Sequence, residues 1–310
     1  MSDESAEPKP LINLRAAQET VFASRAGLLG MIWRRQYGKS HTLGAVGLRW
    51  MMESVCDTFY VSAAVRLGLE NIRKEAAIWM TGFLALREMA QEDGQVKCSA
   101  LDDAGHLLDI DAICDLFEAQ KLETRYYHTR TRVSRSMVVA PNPDTAVGWT
   151  GNVIMDEVGR IPNFQDVWEA MEPIVSSNKG FKIRMATTPP PDDRHYSYEM
   201  LAPNAEETFP VNPRGNFYTS ASGLLIHRVD AYDGYAAGVP LYDLKSRAEM
   251  TPEEHRAKSL DKTAWDRNYG CKFIRGGSAA ISLLALQNAQ AIGADLGMGI
   301  NITESFDEAA

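Results

Sequence analysis

The stretch GLLGMIW (27–33) runs without a break into RRQYGKS (34–40) and then into HTLGAVGLRWMMESV (41–55). This order of apolar run, polar turn and small-residue helix constrains the fold more than any other feature. Seven mainly apolar residues fit a strand buried on both faces, because a half-exposed strand would alternate with polar residues. A helix rich in glycine and alanine fits one that lies close against a sheet. TFYVSA (58–63), β-branched and aromatic, is the next strand, and a long helical pattern follows it to about Gln91. Strand, turn, helix, strand, helix is the rhythm of an α/β fold with a mainly parallel sheet flanked by helices. LETRYY (122–127), SRSMVVAP (134–141), GNVIMDE (151–157) and FKIRMATTPP (181–190) continue it as strands, with an amphipathic helix at FQDVWEAMEPIVSS (164–177). Beyond Pro191 loops and tyrosines increase and periodicity weakens. A helix is expected at about 251–262, where Thr251-Pro252-Glu253-Glu254 places proline and acids in the first turn.

Composition excludes several classes. A chain of 310 residues with 45% hydrophobic and 24% charged residues can bury a sizeable core. Cys56, Cys98, Cys114 and Cys271 form no C-x-x-C pair, which favours reduced thiols over a zinc site or disulfide framework. The start, MSDESAEPKP, is polar and acidic, unlike a signal peptide. No apolar run reaches the roughly 18 residues of a membrane span, so no membrane partner is expected. The net charge of −9 argues against a surface that coats DNA throughout. Charge is nevertheless segregated. Glu92 to Glu123 holds nine acids against two lysines, whereas TRYYHTRTRVSR (124–135) holds four arginines and no acid. That segment reads either as a solvated face or as a basic loop aimed at phosphates, with Tyr126, Tyr127 and His128 interleaved.

Three motifs carry chemistry. Gly38-Lys39-Ser40 matches the end of the phosphate-binding loop G-x-x-x-x-G-K-[ST], but Trp33 stands where the first glycine belongs. The strand NVIMDE ends in adjacent acids, Asp156 and Glu157. One carboxylate there can hold Mg²⁺ and the other can orient or deprotonate a water. A strand-end turn with two solvated acids would look the same. MATTPP (185–190) then brings Thr187 and Thr188 off another strand. In a parallel sheet the carboxyl ends of the strands share one edge, so the three motifs can converge.

Gln18, RRQYGKS, TFYVSA, TGNVIMDE and MATTPP, in this order, resemble the large terminase subunit of tailed bacteriophages, over roughly Leu11 to Ser282. That subunit is the ATPase motor that packs double-stranded DNA into a preformed capsid. The family often lacks the first loop glycine and carries arginine and glutamine where Arg35 and Gln36 stand. The resemblance implies a P-loop nucleotide hydrolase using ATP and Mg²⁺. Lys39 would reach the β- and γ-phosphates, and the backbone around Gly38 and Gln36 would cradle them. Arg35 would add charge, Ser40 and Asp156 would hold the metal, and Glu157 would activate water. Gln18 would read adenine, and Thr187 or Thr188 would sense the γ-phosphate and couple its loss to motion. Double-stranded DNA held by its phosphates, a portal protein, a small terminase subunit and other copies in a ring are the implied partners. The implied place is the host bacterial cytoplasm, docked on the procapsid. The expected division is a disordered tail (1–10), an ATPase core (11–200), a lid subdomain (201–264) and a linker (265–310) toward a nuclease domain.

Two departures stand out. The family's arginine before the acidic strand is replaced by Val147 in DTAVGWTG (144–151). Arg125, Arg130, Arg132, Arg135 and Arg160 are the candidates to replace it, Arg130 or Arg132 in trans, or to contact DNA. The family's nuclease domain has too little chain after the linker, so the sequence is expected to be the ATPase half of a longer protein or of a split gene, without DNA cutting. The competing readings are a helicase or translocase ATPase, a phage structural adaptor with an accidental Gly-Lys-Ser, and a metal-dependent nuclease built on Asp156 and Glu157.

Overall fold

The computed structural model describes residues 12–62, 68, 70–79, 81, 117–119, 123–129, 131–139, 149–191, 193–205, 207–275 and 292–293. The expected tail at 1–10, Val147, Arg130 and most of the expected linker lie outside them. The first unit is α1 (Ala16–Ala23), β1 (Leu28–Trp33), α2 (Lys39–Glu53), β2 (Asp57–Ser62) and a helix α3 at 70–79. Then come β3 (Phe117–Ala119), β4 (Glu123–Tyr127), β5 (Val133–Val139) and β6 (Asn152–Asp156), a 3₁₀ turn (Val158–Arg160), α4 (Phe164–Ser176), β7 (Ile183–Thr187) and α5 (Tyr196–Leu201). The last described part holds β8 (Asn216–Thr219), β9 (Leu225–Val229), α6 (Ala231–Ala236), the short pair β10 (Leu241–Tyr242) and β11 (Glu249–Met250), α7 (Pro252–Lys258) and α8 (Lys262–Asn268).

Nine strands form one sheet in the order β3-β4-β5-β2-β6-β7-β1-β9-β8. From β5 to β9 every neighbour pair is parallel, and β3, β4 and β8 add antiparallel margins. The mainly parallel α/β fold is therefore the one present. The central strands read as unbroken apolar runs because both faces are covered. Leu29, Met31, Trp33, Tyr60, Ile154 and Ala186 pack on one side with Ala17 and Val21 of α1 and Leu43, Val46 and Trp50 of α2. Ile32, Phe59, Val61, Val153, Met155 and Met185 pack on the other with α4 and α5. Phe164, Val167, Trp168, Met171 and Ile174 recur at helical spacing along α4 and form its buried stripe.

Two expectations need correction. The sheet does not stop near residue 200: β9 pairs parallel with β1, Gly30 opposite Ile226 and Trp33 opposite Val229. Short strands carrying buried His227 and Arg228 give no apolar run to read. The helix expected at 251–262 is two helices. Thr251 and Glu254 cap the first reciprocally, and the Asp261 side chain accepts from Ala264 N to start the second.

The basic segment 124–135 is not a loop but mainly the two strands of the β4–β5 hairpin. Asp57 lies opposite Arg135 at the start of β2 and β5, so the turn at 128–132 sits on the amino-terminal edge of the sheet. Its aromatic residues are engaged: Tyr126 meets Trp79 and His128 edge-on, and His128 Nε2 lies 2.8 Å from Ser134 Oγ.

Candidate functional site

Trp33, Ser62, Asp156, Thr187 and Val229 end parallel strands on the carboxyl-terminal edge. The turn from β1 to α2 passes twice through left-handed backbone, at Gln36 (φ 61°) and Gly38 (φ 96°). Glycine is required at 38 for a second reason, since a Cβ there would stand 2.6 Å from Gln18 Nε2. Trp33, in place of the usual glycine, is fully buried. Its ring packs edge-on against Tyr37, and its Nε1–H donates to His227 Nδ1 at 3.0 Å. The turn is thus built on an aromatic base instead of a glycine.

The first turn of α2 carries Lys39, Ser40 and His41. Ser40 Oγ donates to Asp156 Oδ2 at 2.8 Å across 116 residues of sequence. Lys39, 6% exposed, lies 3.7 Å from Glu157 Oε1 and donates to the Trp33 carbonyl at 3.3 Å. Glu157 itself adopts a left-handed conformation (φ 55°), a strained geometry for a residue with a Cβ, and Arg160 Nε stands 4.0 Å from its other oxygen. Thr187 Oγ1 accepts from Gly159 N at 3.1 Å and donates to Thr188 O at 2.7 Å, so the turn after Glu157 is fastened to the end of β7. Thr188 is buried beside it.

Lys39, Ser40, Glu157 and Arg160 line a cleft of about 450 Å³ together with Arg35, Gln36, Gly38, His41 and Lys74, whereas Asp156, Thr187 and Thr188 are buried and do not line it. A second cleft, about 310 Å³, adjoins it over Gln36, Gly38 and His41 and is walled by Asn13, Arg15 and Gln18. Buried Gln18 ties α1 to the turn: Nε2 donates to Gly38 O at 3.3 Å, and Oε1 accepts from Arg15 N at 2.8 Å. Its amide is therefore occupied by backbone, an arrangement the sequence did not suggest.

A metal fits here by chemistry. Asp156 is 4% exposed, its Oδ1 has no hydrogen-bond partner among the described residues, and its other oxygen meets a hydroxyl. These are hard oxygen donors suited to Mg²⁺. Among the described residues no group of three or more His, Cys, Asp or Glu could hold a metal unaided, so an ion here would draw further oxygens from its ligand.

Of the arginines singled out, Arg130 lies outside the described residues, and among the described ones only Arg35 and Arg160 line the cleft. Arg125 pairs with Glu123 at 2.6 Å, Arg135 pairs with Asp57 at 2.5 Å, and Arg132 stands exposed on the opposite sheet edge. Three contributors were not anticipated. Lys74 and His41 line the cleft, and burial, then Arg15 and Lys74, lower the pKa of His41. Arg34 is buried beneath the turn, with Nη2 donating to Val239 O at 2.6 Å and its guanidinium over the Tyr37 ring. Gly234 leaves the room, since a Cβ there would lie 2.5 Å from Arg34 Nε. Arg34 N and Arg35 N donate to Val229 O and Asn268 O, so the turn is bonded to the end of β9 and to the end of α8.

Residues 120–288, more than half of the chain, match the family described as terminase large subunit, T4likevirus-type, N-terminal. The match takes in Asp156, Glu157, Thr187 and Thr188 and leaves out the turn at 34–40. The fold is similar to the large terminase ATPase domain of Thermus phage P74-26, at 15% identity and TM-score 0.54, over 83% of this chain and 93% of that one. An arginine-to-alanine mutant of that domain gives 16% identity and TM-score 0.55 over the same shares. At these identities the likeness concerns the fold alone.

Proposed function

This chain belongs to the terminase large-subunit family, and we propose that it binds and hydrolyses ATP in the cleft over Gly38-Lys39-Ser40 as the motor part of a DNA-packaging machine. The observation that carries the reading is the Ser40–Asp156 hydrogen bond with the Lys39–Glu157 pair beside it. It joins the start of α2 to the end of β6, one outside the family match and one inside it, in the kind of pairing by which P-loop hydrolases hold Mg²⁺.

Lys39 would leave Trp33 O and Glu157 for the β- and γ-phosphates, releasing Glu157 as it does so. Glu157 would then accept the proton of a water aimed at the γ-phosphorus. Ser40 and Asp156 would hold Mg²⁺, which when bound neutralises charge on the phosphates. Arg35 and Arg160 would add positive charge to the same cleft, and the backbone at Gln36 and Gly38 would seat the phosphate chain. Gln18 would fix the height of the turn and border the space for the base. Thr187 would pass the state of the Glu157 turn to the segment after Thr188. Arg267 Nη1 of α8 meets that segment at Pro191 O (3.4 Å), a route toward the residues beyond the sheet.

The reading extends to the machine. Double-stranded DNA would be gripped through its phosphates without sequence preference, with salt-sensitive affinity. A portal protein, a small terminase subunit and further copies in a ring would complete the motor on a procapsid in the host cytoplasm. The test of the chemistry is Glu157→Gln. ATP binding should persist while phosphate release falls about 10²–10⁴-fold, the usual range for losing a general base. Unchanged turnover in this variant would remove Glu157 from the role.

A further inference from the structure

Helix α3 carries two neighbouring residues with opposite destinations. Glu75 points inward and is fully buried, accepting from Thr124 Oγ1 at 2.9 Å and from Ser136 Oγ at 3.0 Å. It has no cationic partner among the described residues, and burial pushes its carboxyl up to about 8, so it anchors the helix as a neutral acid. Lys74, one residue earlier, lines the phosphate cleft.

The crossing of α3 on α2 sets that position. Gly44 and Gly47 present a bare face of α2 at adjacent turns. A Cβ on Gly44 would be 3.4 Å from Glu75 N, and one on Gly47 would be 3.0 Å from Glu75 Oε1. At Gly44 the two helices therefore meet almost backbone to backbone, one turn beyond Lys39, Ser40 and His41, whereas Gly47 leaves room for the Tyr60 hydroxyl and the Glu75 carboxyl. Lys74 is carried alongside the first turn of α2, close enough to His41 to depress its pKa. Only half-buried, Lys74 makes no hydrogen bond or ion pair among the described residues. Among the described residues the cleft thus gathers four cations, Arg35, Lys39, Lys74 and Arg160, around one lining acid, Glu157. An excess of this kind repels itself when the cleft is empty and is relieved by a polyanion.

We propose that Lys74 is a phosphate-contacting residue of the nucleotide site, supplied in cis by the helix after β2. The proposal rests on the reading of the cleft as an ATP site. It assigns the extra cation to the chain that holds the nucleotide, whereas Arg125, Arg132 and Arg135 face away from their own cleft.

Equilibrium binding of ATP and ADP with Mg²⁺, and phosphate release, should be measured on the wild type, Lys74→Ala, Lys74→Arg and Lys39→Ala. Loss of one charge-assisted contact corresponds to about a 10–100-fold change. Lys74→Ala should therefore weaken ATP binding or slow turnover by at least about tenfold, and Lys74→Arg should restore most of it, with melting temperatures unchanged. Because Lys74 is partly exposed and bonds nothing else among the described residues, the variants test contact with the ligand and not the fold. If Lys74→Ala binds and turns over like the wild type while Lys39→Ala fails, the role of Lys74 is refuted and the ATP site stands. If the wild type itself binds no nucleotide, the ATP site falls and the role of Lys74 with it.

Discussion

Gly38→Ala should be among the most damaging single-methyl changes in the chain, and its cost divides into two separable parts. The backbone at Gly38 (φ 96°, ψ 31°) strains any residue with a Cβ by about 1–2 kcal/mol. The added methyl would also stand 2.6 Å from Gln18 Nε2 and 3.8 Å from Gln18 Cδ. The buried amide must swing away, forfeiting its bonds to Gly38 O and Arg15 N at about 1 kcal/mol each. The single variant should lose about 3–4 kcal/mol. Gln18→Ala alone loses the same two bonds, about 2 kcal/mol. In the double variant those bonds are lost once, so it should be about as stable as Gly38→Ala alone, a non-additivity of about 2 kcal/mol. Urea unfolding of the four proteins measures this directly. Additive losses, or a cost below about 1 kcal/mol for Gly38→Ala, would refute the claim that Gln18 and the turn form one unit.

Other consequences concern pH and packing. His227 accepts from Trp33 Nε1–H and donates its Nε2–H to Arg214 O, which fixes a neutral ring, and burial lowers its pKa to about 4. Unfolded histidine titrates near 6.5, so between those values the unfolded chain holds more protons. This contribution is complete above pH 6.5 and is lost, by up to about 3 kcal/mol, as pH falls to 4; a His227→Gln profile as steep as the wild type's in that window would contradict it. Glu75 acts in the opposite sense. Its folded pKa of about 8 lies above the unfolded value, so its protonated form costs nothing below about pH 4.5 and costs increasingly as pH rises toward 8. Glu75→Gln should raise the urea midpoint at pH 8 and leave it nearly unchanged at pH 4, and equal shifts at both would argue for a charged Glu75. Gly234→Ala should displace Arg34 from beneath the turn, lowering stability despite alanine's better helix propensity; a more stable variant would show that the close approach is not needed.

What was legible in the sequence follows from how each signal arises. β1, β6 and β7 are buried on both faces, so their apolar runs and the polar residues ending them mark strands and a shared edge without any structure. Gly38, Ser40, Asp156 and Glu157 could be singled out because each ends or begins such an element. β8 and β9 were invisible for the opposite reason: His227 and Arg228 are buried by satisfying polar partners, and burial of that kind leaves no hydrophobic pattern. Arg125 and Arg135 looked like free charge because Glu123 and Asp57, their partners, lie outside the twelve-residue window or across the sheet. Lys74 carries no motif at all. Its place is a product of the helix crossing at Gly44, which only the fold contains.

The proposed function stands or falls with the binding of ATP phosphates by the aromatic-based turn. Its most direct test is equilibrium binding of Mg²⁺-ATP to the wild type and to Lys39→Ala, with folding of both verified by their melting curves. Saturable binding by the wild type is expected, with a loss of about 10–100-fold or more in the variant, the range for a charge-assisted phosphate contact. Equal affinity in the two proteins, or no binding by a folded wild type, would contradict it.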